Sequence, residues 1–458
     1  MAANSEKVRR NIRNRLLWPL VLLLVVSLPV LLFAMVGLPH VFRGAQVRDV
    51  VALEAGGQAP GVASAHFMPA FALLAGTPLT AGNAVEVLAN GDDTFPRLWR
   101  DLRSARRSIT VQMYYAGPGR VANRVSHLLI ERARAGVDVF FLHDAFGTQD
   151  LPPRYFEQLR AGGVHVAVFR PVRWYTLDRS NHRLHVRGIV IDGATAYTGG
   201  FGFDDQWLGD GTRPQQWRET NVRFAGPAVE QLQAAFIANW AEATGQLLTG
   251  ERLLPPHGVA VIGSGSASGS ASAGTESHAA LVNSPPLEGS TTAERLIAFS
   301  IASARQRLYI ANAYFVPDPD FVQLLVDSAA RGVDVRLLTG GAYTDVRATR
   351  LAARSRYAVL LAAGVRIYEY RPTNMHAKTF VVDGKWTVIG TMNFDNRSMA
   401  YNNEVALVVL DDRVGASMES LFLDDLRRSD EIRPGEFSRR SRAQRFLERA
   451  ANLVASLL

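Results

Sequence analysis

The sequence of 458 residues contains no cysteine. This absence excludes disulfides, thiolate zinc sites and cysteine nucleophiles, and it leaves the redox compartment open. Charged residues make up only 20% of the chain and hydrophobic residues 48%, which is ordinary for a globular protein, so extensive disorder is not expected. The net charge of +8 predicts anionic partners, either phospholipid headgroups or nucleic acid.

Long apolar runs are absent except at residues 16–38. This run carries no charge over the roughly twenty residues needed to cross a bilayer. Basic residues cluster before it, and only Arg43 and Arg48 follow closely, which predicts a single-pass anchor in the cell membrane with the body of the protein on the extracytoplasmic face. A cleaved signal peptide is the alternative, but no convincing small-x-small cleavage site follows the run.

The remainder of the chain contains an internal duplication. Three segments of the first half have counterparts in the same order in the second half: residues 104–115 with 303–315, 131–142 with 327–338, and 158–171 with 360–372. In each pair, a helical pattern or charged helix end runs into an apolar strand, and a glycine marks the helix end in the later pairs. The sequence therefore predicts two α/β halves.

A stretch of glycine, serine and alanine at residues 263–277 separates the two halves and indicates a linker. The predicted segments are an N-terminal basic segment and anchor (1–50), a first domain (83–250), a linker (251–290), a second domain (291–430) and a basic amphipathic helix (431–458). Apolar residues recur at helical spacing among the arginines of the last segment. This helix is expected either to lie at a membrane interface or to pack on the second domain.

The most informative repeat is a polar cluster on otherwise apolar strands. It occurs as His185, Arg187 and Asp192 and again as His376, Lys378 and Asp383. Because the histidine and the cation are two residues apart, they project from the same face of a strand and can converge on one phosphate. Each aspartate precedes a glycine, which favours a structural role in a turn over a catalytic one.

This cluster resembles the signature of the phospholipase D superfamily, which is His-x-Lys-x4-Asp followed by a Gly-Gly/Ser-x-Asn element, present twice. The resemblance covers about residues 83–425 and is closest to bacterial cardiolipin synthases. It implies two duplicated phospholipase D-like α/β sandwich domains, packed pseudo-symmetrically around one shared site and preceded by the N-terminal transmembrane helix.

The two halves match this signature to different degrees. The second half carries Gly390 and Asn393 at the expected positions, with Thr391 at the serine position. The first half carries Gly199 and Gly200, but it departs from the signature with Arg187 in place of lysine and Gly202 in place of asparagine. Arginine keeps the positive charge and can bind phosphate in bidentate fashion, whereas Gly202 offers only its backbone.

The resemblance also implies the roles of the site residues, with no metal and no cofactor. One histidine attacks phosphorus and forms a covalent phosphohistidine, and the other transfers protons to and from the exchanging alcohols. The usual order in the family makes His185 the nucleophile and His376 the acid and base, although the fuller motif around His376 leaves the reverse open. Glu219 and Glu404 occupy the acidic positions that orient the histidines, and Asn393 joins the phosphate-binding groups.

Similarity to cardiolipin synthases implies a phosphatidyltransferase that forms cardiolipin and glycerol from phosphatidylglycerol, so the expected partners are anionic phospholipid and the membrane. A phospholipase D-type hydrolase is the alternative. A nuclease is disfavoured because basic and aromatic residues are only scattered between the motifs. The presence of both histidines argues against a catalytically dead lipid-binding protein, and the oligomeric state is left open.

Overall fold

The computed structural model describes residues 45–53, 57–171, 182–254, 277–286 and 291–453, together with isolated positions between residues 18 and 30. Most of the predicted anchor at residues 16–38 and most of the predicted linker therefore lie outside the described residues. Within the described part of the chain, no helix is both long enough and apolar enough to cross a bilayer. All elements named below belong to one compact unit, Val47–Pro286 together with Thr291–Leu458.

The first half alternates strands and helices up to β4 and then continues through the three antiparallel strands β5, β6 and β7. Its elements are α1 (Phe67–Ala75), β1 (Thr80–Ala89), α2 (Asn90–Ser104), β2 (Ser108–Met113), α3 (Arg120–Arg134), β3 (Asp138–Asp144), α4 (Pro153–Ala161), β4 (His165–Phe169), β5 (Arg187–Ile191), β6 (Thr195–Gly199), β7 (Thr220–Ala225) and α5 (Ala228–Thr244).

The second half repeats this order and then adds a short C-terminal extension. Its elements are β8 (Ser277–Ser284), α6 (Thr292–Ser303), β9 (Arg307–Asn312), α7 (Pro319–Ala330), β10 (Asp334–Gly340), α8 (Arg347–Ala362), β11 (Arg366–Tyr370), β12 (Lys378–Val382), β13 (Trp386–Gly390), α9 (Asn396–Ala400), β14 (Glu404–Leu410), α10 (Asp412–Arg427), β15 (Ser429–Glu431), α11 (Pro434–Ser438) and α12 (Arg442–Leu453).

Hydrogen bonding joins all fifteen described strands in the order β15-β11-β10-β9-β12-β13-β14-β8-β1-β7-β6-β5-β2-β3-β4. The two halves meet where β1 pairs antiparallel with β8. Outward from this junction, each half runs through the same sequence of strands: 1-7-6-5-2-3-4 in the first half and 8-14-13-12-9-10-11 in the second. The predicted duplication into two α/β halves is therefore confirmed.

Alternating side chains of the central strands face different apolar cores, of which three large ones and one small one are present within the described residues. In β5, Ile189 and Ile191 face an outer core that they share with α2, α3 and α4, whereas Val190 faces a middle core. The middle core receives Val381 of β12 and the buried faces of α5 and α10, so it contains side chains of both halves. Burial on both faces accounts for the nearly continuous apolar runs of β5 and β12.

Candidate active site

The two motif histidines lie directly before β5 and β12, where each half contacts the other. Isolated bridges pair Leu184 with Asn403 and Arg218 with Met375. The backbone N–H of His376 donates to the carbonyl of Arg218 at 2.8 Å. The segment before each histidine therefore contacts the residue that precedes a glutamate of the opposite half. These glutamates are Glu404, at the start of β14, and Glu219, directly before β7.

Each histidine is paired with the glutamate of the opposite half. His185 Nδ1 lies 2.8 Å from Glu404 Oε1, and His376 Nδ1 lies 2.6 Å from Glu219 Oε2. All four side chains are buried. An ionised glutamate accepts a hydrogen bond from Nδ1–H, which places the lone pair of the imidazole on Nε2. The arrangement thus supplies two oriented imidazoles, each of which depends on both halves.

A cation accompanies each histidine, as the two-residue spacing predicts. Arg187 Nη1 lies 3.3 Å from His185 Nε2, and Lys378 Nζ lies 3.1 Å from His376 Nδ1. Lys378 also donates to the carbonyl of His376. The Arg187 guanidinium lies over the ring of Tyr114, 5.4 Å from its centroid, which adds a cation–π contact.

Burial and the two cations set the protonation states in the site. Burial lowers the pKa of His185 and of His376 well below the usual value, and the neighbouring Arg187 and Lys378 lower both further. Burial also lowers the pKa of Lys378 to about 7 and raises that of Glu404 to about 8. The site therefore favours neutral imidazoles. A bound phosphodiester anion would raise the pKa of the histidines and of Lys378, because opposite charge favours their protonated forms.

The glutamates are held by different donors in the two halves. Glu404 accepts from the hydroxyl of Thr391 and from Asn402 Nδ2 at 3.2 Å. Glu219 accepts from Trp207 Nε1 at 3.3 Å and from a backbone N–H at 3.0 Å. Sequence reasoning did not identify Trp207 or Asn402 as site residues. Asn402 was detectable from its position two residues before Glu404, whereas no spacing pointed to Trp207.

Glycine is required where the glutamates and strands approach most closely. A Cβ on Gly200 would lie 2.3 Å from Glu219 Oε2, and a Cβ on Gly390 would lie 2.3 Å from the carbonyl of Val405. Gly199 adopts a φ of 142°, which side chains rarely tolerate. The predicted supporting glycines therefore lie at the site, where the lack of a side chain permits the close approach of Glu219 and of the neighbouring strand.

Asn393 is buried, and its Oδ1 has no hydrogen-bond partner within the described residues. Because an amide oxygen accepts hydrogen bonds, this atom is available to a donor group of a ligand. At the corresponding position of the first half, a Cβ on Gly202 would lie 2.8 Å from the ring of Trp207. The indole therefore occupies the space beside Gly202, and it packs edge-on to His376 with 5.5 Å between ring centroids.

The two motif aspartates lie away from the histidines, at the opposite ends of β5 and β12. Asp192 and Asp383 both adopt left-handed backbone conformations, with φ of 55° and 51°. Each carboxylate accepts hydrogen bonds from three successive backbone N–H groups. The donors are those of Arg106, Arg107 and Ser108 for the first aspartate and of Arg305, Gln306 and Arg307 for the second. The structure therefore gives both aspartates contacts that stabilise the turn, as their glycine-flanked positions predicted.

Within the described residues, no group of three or more histidine, aspartate or glutamate side chains is arranged to hold a metal ion. The chemical groups that the structure does assemble are two imidazoles, two cations and two carboxylates, contributed equally by the two halves. A duplicated α/β fold with such a site defines the two-histidine class of phosphodiester-transferring enzymes.

The chain belongs to the phospholipase D-like family described as "Cardiolipin synthase, PLD-like domain", whose model matches residues 98–240 and 297–426. The two matched segments contain both histidines, both cations and both glutamates. The predicted membership of the phospholipase D superfamily is therefore confirmed, and the chain is an enzyme of this superfamily.

Similar proteins include several bacterial relatives. Cardiolipin synthase of Geobacillus thermodenitrificans is 35% identical over 384 residues, covering 83% of this chain and 74% of the relative. Cardiolipin synthase A of Pseudomonas aeruginosa is 34% identical over 390 residues, covering 83% of this chain and 75% of the relative. The likeness extends over most of this chain.

A solved structure supports the fold independently of close sequence similarity. Phosphatidylserine synthase of Haemophilus influenzae superposes with a TM-score of 0.64 at 14% sequence identity, covering 85% of this chain and 99% of that protein. At this identity the likeness shows the fold alone. It confirms the mixed α/β architecture.

Proposed function

We propose that the chain is a phosphatidyltransferase that forms cardiolipin, or a related phospholipid, and glycerol from two molecules of phosphatidylglycerol. The observation that carries the proposal is the reciprocal pairing of each histidine with the glutamate of the opposite half. This pairing gives one site two oriented imidazoles, as a double displacement on a phosphodiester requires. The cardiolipin synthases among the relatives support the choice of donor and product.

In the first step, His185 Nε2 attacks the phosphorus of one phosphatidylglycerol. The bond from phosphorus to the glycerol oxygen breaks, and His376, protonated once the phosphate anion is bound, transfers its proton to the leaving oxygen. The products are a phosphatidyl group on His185 and free glycerol. Glu404 stabilises the charge that develops on the His185 imidazole, and Glu219 does the same for His376.

In the second step, neutral His376 takes the proton from a hydroxyl of the second phosphatidylglycerol. The hydroxyl oxygen attacks phosphorus, the phosphorus–nitrogen bond breaks, and His185 is regenerated. Throughout the reaction, Arg187, Lys378 and the amide of Asn393 stabilise the charge on the non-bridging oxygens. If water replaces the second lipid, the same steps give phosphatidic acid, which is the hydrolase alternative.

The assignment of the nucleophile is part of this proposal. Denaturing the enzyme during turnover of labelled phosphatidylglycerol and sequencing its peptides by mass spectrometry should locate the covalent phosphoryl group on His185. A modified peptide that contains His376, with none that contains His185, would reverse the two roles.

We further propose that residues 16–38 form a single-pass membrane anchor and that the catalytic body lies on the extracytoplasmic face. The uncharged apolar run and the basic residues before it support this topology. The proposed domains are residues 83–250 and 291–430, joined by the linker at 251–290. Protease added to intact cells should digest the body, and complete protection of the body would place it in the cytoplasm.

The experiment for the proposed activity is incubation of the purified chain with phosphatidylglycerol liposomes, followed by mass spectrometry of the lipids and of the released alcohol. We expect cardiolipin and glycerol from the native chain and from His127→Ala, a control that alters an exposed histidine of α3. We expect neither product from His376→Ala. Phosphatidic acid without cardiolipin would indicate the hydrolase, and no turnover by the native chain would contradict the proposal.

A further inference from the structure

The C-terminal helix α12 has two faces of different character. Its inner face packs against α8 through Glu448, which is only 1% exposed. Glu448 accepts hydrogen bonds from Arg440 Nε at 2.8 Å and from Arg354 Nε at 3.4 Å. Of the two expectations for this segment, packing on the second half is therefore observed, and a buried charged cluster fixes the rotation of the helix about its axis.

The outer face of α12 presents large apolar side chains to solvent. Phe446 is 71% exposed and Leu447 is 55% exposed. Arg442 and Arg449 lie one turn before and one turn after Phe446 on the same side of the helix, and Arg445 is also exposed. Within the described residues, the fixed rotation of α12 thus holds an apolar ridge outward between arginines.

The charge of this surface has a single sign. Glu448 is the only acidic residue between positions 439 and 453, and it is buried and paired with arginines. The ionisable groups exposed along this stretch are all arginines. Exposed aromatic and aliphatic side chains bordered by arginine are the combination that binds the headgroup region of anionic bilayers.

The position of α12 relates this surface to the active site. Ala451, in the last turn of the helix, packs against Val316 and Ala352. The backbone N–H of Val316 donates to the carbonyl of Phe394 at 2.8 Å, and Phe394 follows Asn393 directly. The C-terminal end of α12 therefore lies close to the segment that carries a phosphate-binding candidate.

We propose that the outer face of α12, defined by Arg442, Arg445, Phe446, Leu447 and Arg449, docks on the surface of an anionic phospholipid bilayer. Phe446 and Leu447 enter the headgroup region, and the arginines contact lipid phosphates. This contact is separate from the N-terminal apolar run, and it orients the body so that the side next to Asn393 lies near the lipid. It does not depend on the chemistry of the histidines.

The absence of cysteine permits a direct test with the full chain. Phe446→Cys carries a single environment-sensitive fluorophore, and the chain is reconstituted into vesicles of phosphatidylcholine with or without phosphatidylglycerol. The matched control places the same fluorophore at Ala135→Cys. Ala135 is exposed and lies in the turn between α3 and the start of β3. Acyl chains brominated near the headgroup serve as quenchers.

We expect a blue shift and quenching of the label at position 446 in vesicles that contain phosphatidylglycerol, and neither change at position 135. Replacing Arg442, Arg445 and Arg449 by glutamine should reduce the quenching. The same loss of charge at the exposed residues Arg103, Arg106 and Arg107 should leave it unchanged. These readouts do not require turnover, so they are independent of the proposed activity.

Three results would overturn the proposal. The first is the absence of quenching at position 446 in vesicles with phosphatidylglycerol. The second is equal quenching in phosphatidylcholine alone, which would remove the role of the arginines. The third is a blue shift in detergent that grows with protein concentration, which would assign the apolar ridge to a second copy of the chain.

Discussion

The two halves of the molecule share a skeleton but differ in the groups that surround their histidines. Both have the same strand order, the same aspartate-stabilised turn and the same histidine–glutamate pairing across the interface. They differ in the cation, which is Arg187 in one half and Lys378 in the other, and in the donor to the glutamate. Duplication therefore preserved the geometry while the local chemistry diverged.

In the first half, Trp207 compensates for side chains that the second half has and the first half lacks. Thr391 donates its hydroxyl to Glu404, whereas the corresponding Gly200 has no side chain to offer Glu219. Trp207 supplies the missing donor through its indole N–H and also fills the space beside Gly202. Trp207, only five residues after Gly202, thus accounts both for the missing hydroxyl donor at Gly200 and for the departure from the signature at Gly202.

The largest expected effect comes from removing the carboxylates that orient the histidines. Glu219→Gln and Glu404→Gln keep the shape of the side chain but present an amide to Nδ1, which disfavours the productive tautomer and the imidazolium. We expect each variant to lose up to about 10,000-fold in kcat. Steady-state formation of cardiolipin, with circular dichroism to verify folding, measures the loss.

Each histidine–glutamate pair joins the two halves of one chain, so an intact pair in one molecule cannot substitute for a broken pair in another. An equal mixture of the two variants should therefore show no recovery of activity. Native activity in either single variant would contradict the orienting role of that glutamate.

The second effect is a difference in pH dependence that follows from the two cations. Burial lowers the pKa of Lys378 to about 7, so its positive charge is lost as the pH rises above that value. Arginine stays charged throughout. We expect kcat/KM of the native chain to fall above about pH 7, by up to tenfold per pH unit, and Lys378→Arg to remove this fall.

The complementary change, Arg187→Lys, should leave the alkaline fall in place. An identical alkaline limb in the native chain and in Lys378→Arg would show that a group other than Lys378 controls it. The pH profile of kcat/KM for the three proteins separates these outcomes.

The sequence predicted the site residues that occur in both halves, but it did not predict Trp207, which replaces missing side chains in the first half. The histidines, cations, glutamates and glycines were identified because spacing and resemblance are visible along the chain, and the structure brings them together. Trp207 could not be predicted because its role depends on the space left beside Gly202 and on its approach to Glu219, which only the folded chain defines. The packing of α12 through Glu448 was likewise left open. Helical spacing shows that the helix has an apolar face, but it does not show which part of the protein or membrane that face contacts.

A smaller effect should follow from removing one donor to each glutamate. Trp207→Phe and Thr391→Val each leave a buried carboxylate with one hydrogen bond fewer. At about 1–2 kcal/mol for such a loss, we expect a decrease in kcat of roughly fivefold to thirtyfold in each variant. Kinetics on phosphatidylglycerol liposomes measure both.

The indole should have an additional role that the threonine lacks. Because Trp207 also packs beside Gly202, the phenylalanine variant should lower the free energy of unfolding more than the valine variant. Denaturant titration tests this difference, and equal destabilisation would contradict the compensating role of the indole.

The smallest effect on catalysis is expected where the two halves are most alike. Asp192→Asn and Asp383→Asn each replace a carboxylate that accepts three backbone hydrogen bonds by a neutral amide, which weakens those bonds. Each change should therefore lower the free energy of unfolding by about 1–3 kcal/mol. Because both aspartates lie at the ends of β5 and β12 remote from the histidines, kcat per folded molecule should stay unchanged. Asp150→Asn, at an exposed position, serves as the control. A fall in kcat without destabilisation would give these aspartates a role in the reaction that their contacts do not suggest.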